Sequence, residues 1–309
     1  MPTPSLPVSG VVLALFGPTA SGKTAVAEAL AERVPAEIVS ADSAALYRDL
    51  PILTAAPERP TRLVGILGLD EEASVGDYQR LAHAAIDEIL ASGRTPLVVG
   101  GTGLYLRAAL AELDVPPPAP PGAREHWERL YDRVGGEQAH AFLSTRDPGA
   151  AARVHPNDRR RVVRALELAD VGRSLEPAPD RLWSSETRHP TLVFGLSVPA
   201  DELARRIEAR SRAMVERGVT EEARAALEQP LSSTAAKIMG LREAAELPPA
   251  QAVEALARAS RRLARYQRKW LRRIPGLVTV QADRPAAEVA DAILEVARAR
   301  QQLPVGRAG

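Results

Sequence analysis

Val11–Phe16 (VVLALF) is an unbroken apolar run of strand length, the pattern of a strand buried on both faces of a parallel sheet. Polar Gly17–Thr24 follows, and Ala25–Arg33 reads as a helix. Glu37–Ser40 is a second short strand ending at Ala41-Asp42-Ser43. After a proline-bearing stretch (Pro51, Pro57, Pro60), apolar positions recur at helical spacing over about Gly76–Ala91. Pro96 opens a third buried strand, Leu97–Gly100, and Leu104–Glu112 is helical. Strands alternating with helices predict an α/β fold: a parallel, P-loop-type sheet with right-handed crossovers, flanked by helices.

Proline-rich Leu113–Gly122 (LDVPPPAPPG) breaks this rhythm and marks the opening of an insertion. Ala123–Val171 is mostly helical with a turn at Gly135-Gly136, and Gly172–Pro190 is irregular. Thr191–Val198 (TLVFGLSV) returns to the sheet. Helices follow at Asp201–Arg217, Thr220–Leu227 and about Ala250–Arg273, then a strand at Leu277–Gln281 and a helix at Ala286–Arg300. The expected division is an α/β core of residues 1–113 and 191–309, with a helical lobe at 114–190. A chain of 309 residues has room for both.

The charge balance, 40 − 39 = +1, names no partner for the chain as a whole. Only three basic residues are lysines (Lys23, Lys237, Lys269). With no cysteine, disulfide frameworks, thiol nucleophiles and cysteine-ligated metals are excluded. The five histidines are scattered, which argues against a zincin site. No apolar run approaches the ~20 residues of a membrane helix. Met1–Gly10 has no basic leader, so a cytoplasmic protein with no membrane partner is expected.

Gly17-Pro18-Thr19-Ala20-Ser21-Gly22-Lys23-Thr24 fits G-x-x-x-x-G-K-[ST] between a buried strand and a helix. In such a loop backbone N–H groups converge on phosphate oxygens, and the helix N-terminus adds partial positive charge. Lys23 would reach the terminal phosphates, and the Thr24 hydroxyl suits Mg²⁺. A nucleotide hydrolase would also carry a carboxylate after a strand. Leu97-Val98-Val99-Gly100-Gly101-Thr102 has none, which weakens an ordinary ATPase reading. Asp42 directly follows the second strand. Ligands of open α/β sheets bind beyond the carboxyl ends of the strands. The loop, Asp42 and Gly100–Gly103 should therefore open onto one crevice.

GPTASGKT, ADSAALYRDL, VVGGTGLYLRAAL, RVHPNDRRRVVRALEL, KIMGLREAAEL and RRLARYQRKWLRR, in this order and spacing, resemble the tRNA dimethylallyltransferases, over about Val11–Arg273. The resemblance implies prenyl transfer from dimethylallyl diphosphate to the N6 amine of the adenosine beside the anticodon, adenosine-37, with Mg²⁺, by a monomer acting on the tRNA anticodon stem-loop. It implies that Gly17–Thr24 cradle the diphosphate, a site also described in nucleotide terms, and that Asp42 is the general base. Thr102 would position the reacting groups, and Arg210 would join Lys23 on the diphosphate. Asp42, Ser43, Ala44, Ala45 and Thr102 would meet the tRNA. So would Arg160, Arg161, Val162, Val163 and Arg164, and Lys237, Ile238, Met239, Gly240, Leu241 and Arg242.

The sequence departs from the family pattern at the rim. Leu53-Thr54-Ala55-Ala56-Pro57 stands where Gly-Thr-Ala-Lys-Pro is usual, Pro60–Gly65 replaces a His-rich tract, and Leu241 replaces a common tyrosine. Arg153–Arg164 has five arginines against Asp158, and Arg258–Arg273 has seven arginines plus Lys269 and no acid. A helical wheel puts Arg258, Arg262, Arg265, Lys269 and Arg272 on one face, with Val253, Leu256, Leu263 and Trp270 roughly opposite. A phosphate backbone is the natural partner of such a face. With aromatics at 4%, no stacking platform is expected, and recognition should rest on shape, phosphates and one extruded base. A small-molecule P-loop kinase explains neither this helix nor the insertion. A nucleotide-switched RNA-binding protein leaves Asp42 unexplained.

Overall fold

A computed structural model describes residues 10–115, 120, 122–175 and 181–302. Five strands form one parallel sheet: β1 (Val12–Phe16), β2 (Ala36–Ser40), β3 (Thr95–Gly100), β4 (Thr191–Ser197) and β5 (Val278–Gln281). Their order is β2-β3-β1-β4-β5. β1 is central, with Leu13 beside Leu97 of β3 and Leu192 of β4, which accounts for its unbroken apolar run. The chain passes out to β2, back to β3, and only later across to β4. The direction of winding therefore reverses at β1, and the loops beyond β1 and β3 share a crevice.

The helices of this part are α1 (Lys23–Arg33), α2 (Pro51–Thr54), α3 (Val75–Ala91) and α4 (Gly103–Leu110) before the insertion. Within the insertion come α5 (Ala123–Val134), α6 (Gly136–Arg146), α7 (Pro148–Ala151) and α8 (Arg159–Ala169). After it come α9 (Ala200–Glu216), α10 (Val219–Leu227), α11 (Leu241–Glu246), α12 (Pro249–Leu271) and α13 (Ala286–Gln302). The main core joins Leu13, Leu15, Val26, Leu30 and Phe194 to Ile207, Val289 and Ile293, so α1, α9 and α13 cover the sheet together. Right-handed crossovers of opposite direction put α3 and α4 on the other face. A second core ties Tyr47, Leu50 and Leu53 to Val219, Leu241 and Leu256. Only the short α2 and α11 fall outside the sequence reading; a single turn has no period to detect.

The chain divides into two compact units, residues 1–112 with 182–309, and residues 113–181. The second contains α5 to α8 packed around Trp127, Leu143, Val162 and Leu166. Gly135, at φ 81°, makes the turn between α5 and α6. Asp147 and Asp158 cap α7 and α8, accepting from the Ala150 and Arg161 amides. Much of the proline run (116–119 and 121), residues 176–180 of the irregular stretch and the N-terminal segment 1–9 lie outside the described residues.

Residues Leu182–Pro190, read from sequence as insertion, pack with the sheet-bearing unit. The cause is Arg107 of α4, buried among apolar neighbours, whose guanidinium donates to the carbonyls of Leu182, Ser184 and Glu186. Among the described residues no helix is long and apolar enough to cross a membrane.

Candidate active site

Beyond β1 the chain turns through Gly17–Gly22 into α1. Ala20 (φ 62°) and Gly22 (φ 90°) are left-handed on either side of Ser21, an alternation that turns successive N–H groups into one concavity. The Ser21 hydroxyl is buried there without a hydrogen-bond partner. Lys23 Nζ donates to the Pro18 carbonyl at 2.8 Å, and Arg210 of α9 donates to Thr19 Oγ1 at 3.0 Å. Burial pushes the Lys23 ammonium down to about 8, with the Asp42 carboxylate opposing and Arg210 adding to the shift. Burial also lowers Arg210, again opposed by Asp42.

Asp42 stands just past β2, half-buried, and accepts from the Ala44 amide at 3.1 Å. It lines one pocket with Lys23, Thr24, Ser40, Ala55 and Gly100. Thr102 holds the N-cap position of α4, and its Oγ1 lies 3.5 Å from the Ser43 amide. Beneath them Tyr78 and Tyr105 pack at 4.5 Å, and Tyr78 donates to the Ser40 carbonyl. Burial pushes the Tyr105 phenol up to about 12 and Tyr78 up as well, with Asp42 contributing to both. Both phenols are therefore neutral at physiological pH. The structure thus brings Gly17–Thr24, Asp42, Thr102 and Arg210 to one place.

Residues flanking two of the sequence-predicted RNA segments also meet. Tyr47, at the end of the Asp42–Ala45 turn, hydrogen-bonds Thr234 Oγ1 at 2.6 Å, and Glu72 accepts from the Ser233 amide and the Thr234 hydroxyl. This network anchors the turn leading to Lys237–Arg242. There Lys237 and Arg242 are exposed, Ile238 and Met239 are half-buried, and Gly240 (φ 88°) starts α11. Leu241 and Ala45 are buried.

The third segment belongs to the unit 113–181 and divides by role. Arg160 and Arg161 are exposed; Val162 and Val163 lie in that unit's core. Arg164 donates at 2.9 Å to Glu167, a fully buried carboxylate that Arg124 also binds at 2.8 Å. Arg159 pairs with Asp132 and Glu128. In α12 and the two residues that follow it, by contrast, all eight cations from Arg258 to Arg273 lie on exposed positions, Arg261 and Arg268 included, and among the described residues none forms an ion pair. Val253 and Leu263 are only partly buried; the inner stripe is Ala252, Leu256, Ala259, Ala264, Gln267 and Trp270.

Gln267 is the residue that sequence reasoning missed. It is 3% exposed; its Oε1 accepts from the Thr19 amide at 2.7 Å, and its Nε2 donates to the Gly101 carbonyl at 3.0 Å. It joins the Gly17–Gly22 turn, the loop after β3 and the basic helix. The close approach explains two glycines. A Cβ on Gly101 would meet Gln267 Nε2 at 2.3 Å, and one on Gly103 would meet the Trp270 ring at 2.1 Å. A lone amide on the apolar stripe of an otherwise cationic helix was the available signal.

A family model described as IPP transferase matches residues 45–274. A tRNA dimethylallyltransferase of Corynebacterium jeikeium (strain K411) is 38% identical over 286 residues, 88% of this chain and 92% of that protein. One from Anaeromyxobacter dehalogenans (strain 2CP-C) is 42% identical over 280 residues, 85% of this chain and 92% of its own length. Among solved structures, the full-length tRNA isopentenylpyrophosphate transferase of Bacillus halodurans superposes with a TM-score of 0.66 at 30% identity, covering 96% of this chain and all of that one.

Proposed function

We infer that this chain, which belongs to the IPP transferase family, transfers a dimethylallyl group from dimethylallyl diphosphate to tRNA. The observation that carries the reading within this structure is the meeting of Lys23, Thr24 and Asp42 in one pocket beyond β1 and β2. The acceptor we assign is the exocyclic N6 amine of adenosine-37, next to the anticodon.

The donor's diphosphate lies in the Gly17–Thr24 cradle, where inward N–H groups, the unpartnered Ser21 hydroxyl, Lys23 and Arg210 meet its charge. In the reaction the C1–O bond of the donor breaks and its electron pair leaves with diphosphate. A bond forms between C1 and N6, and the Asp42 carboxylate takes the N6 proton. An exocyclic adenine amine is a weak nucleophile, so proton removal must accompany attack. The cations stabilise charge that develops on the leaving oxygens. Thr102, beside the Ser43 amide, orients the adenine.

The cradle also fits Mg²⁺. Thr24 offers a hard oxygen at its mouth, and among the described residues no cluster of three His, Asp or Glu competes for a metal. One hydroxyl plus phosphate oxygens and water is a usual magnesium environment. The ion would neutralise diphosphate charge. We place the enzyme in the cytoplasm, acting as a monomer.

The test is transfer of labelled dimethylallyl from its diphosphate to unmodified tRNA, with labelled ATP in parallel. Label should enter tRNA from the first donor only. Asp42→Asn should keep binding both substrates while transfer falls by about 10²–10⁴. Near-normal turnover by the pure variant would remove Asp42 from the mechanism.

A further inference from the structure

The sparse aromatics of this chain are not scattered. Two of its three tryptophans, Trp183 and Trp270, lie with ring centroids 4.8 Å apart. The Arg273 guanidinium sits 3.7 Å above the Trp183 ring. Tyr266, one turn before Trp270 on α12, meets it edge-on at 6.5 Å. Tyr266 is 56% exposed, so its ring is open to solvent although it belongs to a packed aromatic group. A composition of 4% aromatics suggested that no stacking surface could exist, but folding gathers the few there are.

The surroundings name the ligand. Arg262, Arg265 and Lys269 lie within about a turn of Tyr266 on the exposed side of α12, and among the described residues none has an acidic partner. An open aromatic ring among unneutralised cations suits a group with an anionic backbone and flat, uncharged faces: a single-stranded nucleic acid. A purely apolar ligand would leave the cations unanswered, and an acidic peptide would leave the ring unused. The position is also specific. Trp270 packs directly on Gly103, the residue after Thr102, so the aromatic group backs onto the loop that faces Asp42.

We propose that Tyr266, supported by Trp270, Trp183 and Arg273, is a stacking site for one unpaired base of the RNA, a base neighbouring the adenosine that reacts. This rests on the tRNA reading above and adds to it a second base contact. The extruded adenine goes to Asp42. Its neighbour, freed from the loop stack by the same extrusion, lies against Tyr266 while Arg262, Arg265 and Lys269 hold the adjoining phosphates. Stacking and phosphate contacts then act on one strand from one helix.

The experiment measures binding of a synthetic anticodon stem-loop RNA by the full chain and by Tyr266→Ala and Tyr266→Phe, over a salt series. Tyr266→Ala should weaken binding about 5- to 150-fold, the range for one stacked base. Tyr266→Phe should stay within about twofold. The log–log salt slope should not change, because no phosphate contact is lost, whereas Lys269→Ala should reduce it by about 0.7. Stem-loops carrying a single abasic nucleotide on either side of the target adenosine complete the test. One of them should weaken binding by the wild-type chain and cause no further loss in Tyr266→Ala.

Unchanged affinity in Tyr266→Ala, or abasic effects that persist in it, would overturn the proposal. A raised KM for dimethylallyl diphosphate with unchanged RNA affinity would also overturn it, since the ring would then serve the prenyl group. Transfer by the wild-type chain is assayed alongside. Failure of the wild type to bind or prenylate the RNA would sink the tRNA reading itself, a result distinct from failure at Tyr266 alone.

Discussion

At the scale of single residues, the site's chemistry depends on charge held out of water. Lys23 is buried enough to titrate near 8, so the free protein loses this cation as pH rises through that value. A bound diphosphate favours the charged form, so binding above pH 8 takes up a proton. The donor KM should therefore climb about tenfold per unit above pH 8, while the KM for tRNA stays flat. Lys23→Arg should remove that break, and pH profiles of both KM values decide it. The link to folding has the opposite sign. Between about 8 and the ordinary lysine value of 10.5 the unfolded chain binds more protons, so the contribution of Lys23 to stability grows over that window. Gln267 works without charge. Gln267→Leu leaves the Thr19 amide and the Gly101 carbonyl buried and unpaired, at about 1–3 kcal/mol each. We expect kcat/KM for the donor to fall about 10- to 100-fold with RNA affinity within twofold. Rescue by Gln267→Glu should be partial, since a carboxylate can accept from Thr19 but cannot donate to Gly101. A change in Tm with unaltered donor kinetics would make Gln267 a packing residue only. The Gly17–Thr24 turn was legible in sequence because its motif is local and Gly22 is fixed by backbone need, at φ 90°. Gln267 was not, because its partners lie 248 and 166 positions away.

At the scale of elements, two basic helices that look alike in sequence are built for different uses. In α12 the exposed positions from Arg258 onward carry six cations and no acid, and among the described residues none of the six forms an ion pair. In α8 the five-residue run Arg160–Arg164 contains two exposed arginines, two core valines and one arginine committed to buried Glu167. The sequence alone showed five arginines over Arg153–Arg164 in a mostly helical stretch. It could not show that Arg164 sits at the border, where burial of Glu167 claims it. The variants should therefore separate. Arg160→Ala with Arg161→Ala should raise the KM for tRNA and lower its salt slope by about 0.7–0.9 per lost phosphate contact, with Tm almost unchanged. Arg164→Ala should cost about 3 kcal/mol of stability, because it leaves a buried carboxylate with Arg124 alone. Salt-dependent binding beside thermal melts distinguishes the two. A salt slope unmoved in the Arg160 and Arg161 double variant would make that face merely solvated and leave the RNA footprint to α12. The rim departures have a similar local logic. Pro51–Thr54 becomes a helical turn whose Ile52 and Leu53 amides are capped by Glu222 of α10 at 2.7 and 2.8 Å. The substituted rim is thus held by a contact that no local pattern announces.

At the scale of the whole chain, the residues form two compact units with separate cores. The sheet-bearing unit contains the phosphate loop, Asp42, Thr102, Arg210 and α12. The unit 113–181 contains Arg160 and Arg161 and none of the residues assigned to bond making. We therefore expect loss of packing in the smaller core to damage RNA grip and spare the donor site. Leu143, fully buried between α6 and its neighbours, is the place to test this. Leu143→Ala should cost about 2–5 kcal/mol where it acts. Hydrogen exchange should quicken across residues 113–181 and stay unchanged through β1, β2, β3 and α1. Inorganic pyrophosphate should bind as in the wild type, and the KM for tRNA should rise. If exchange quickens equally around Gly17–Thr24, the two units fold as one cooperative body, and the division of labour cannot follow from separate stability. If exchange is confined to 113–181 but tRNA binding is untouched, the smaller unit has no part in holding the RNA. Either result would leave the proposed chemistry at Asp42 standing, because every group we assign to the diphosphate or the reacting amine lies in the sheet-bearing unit.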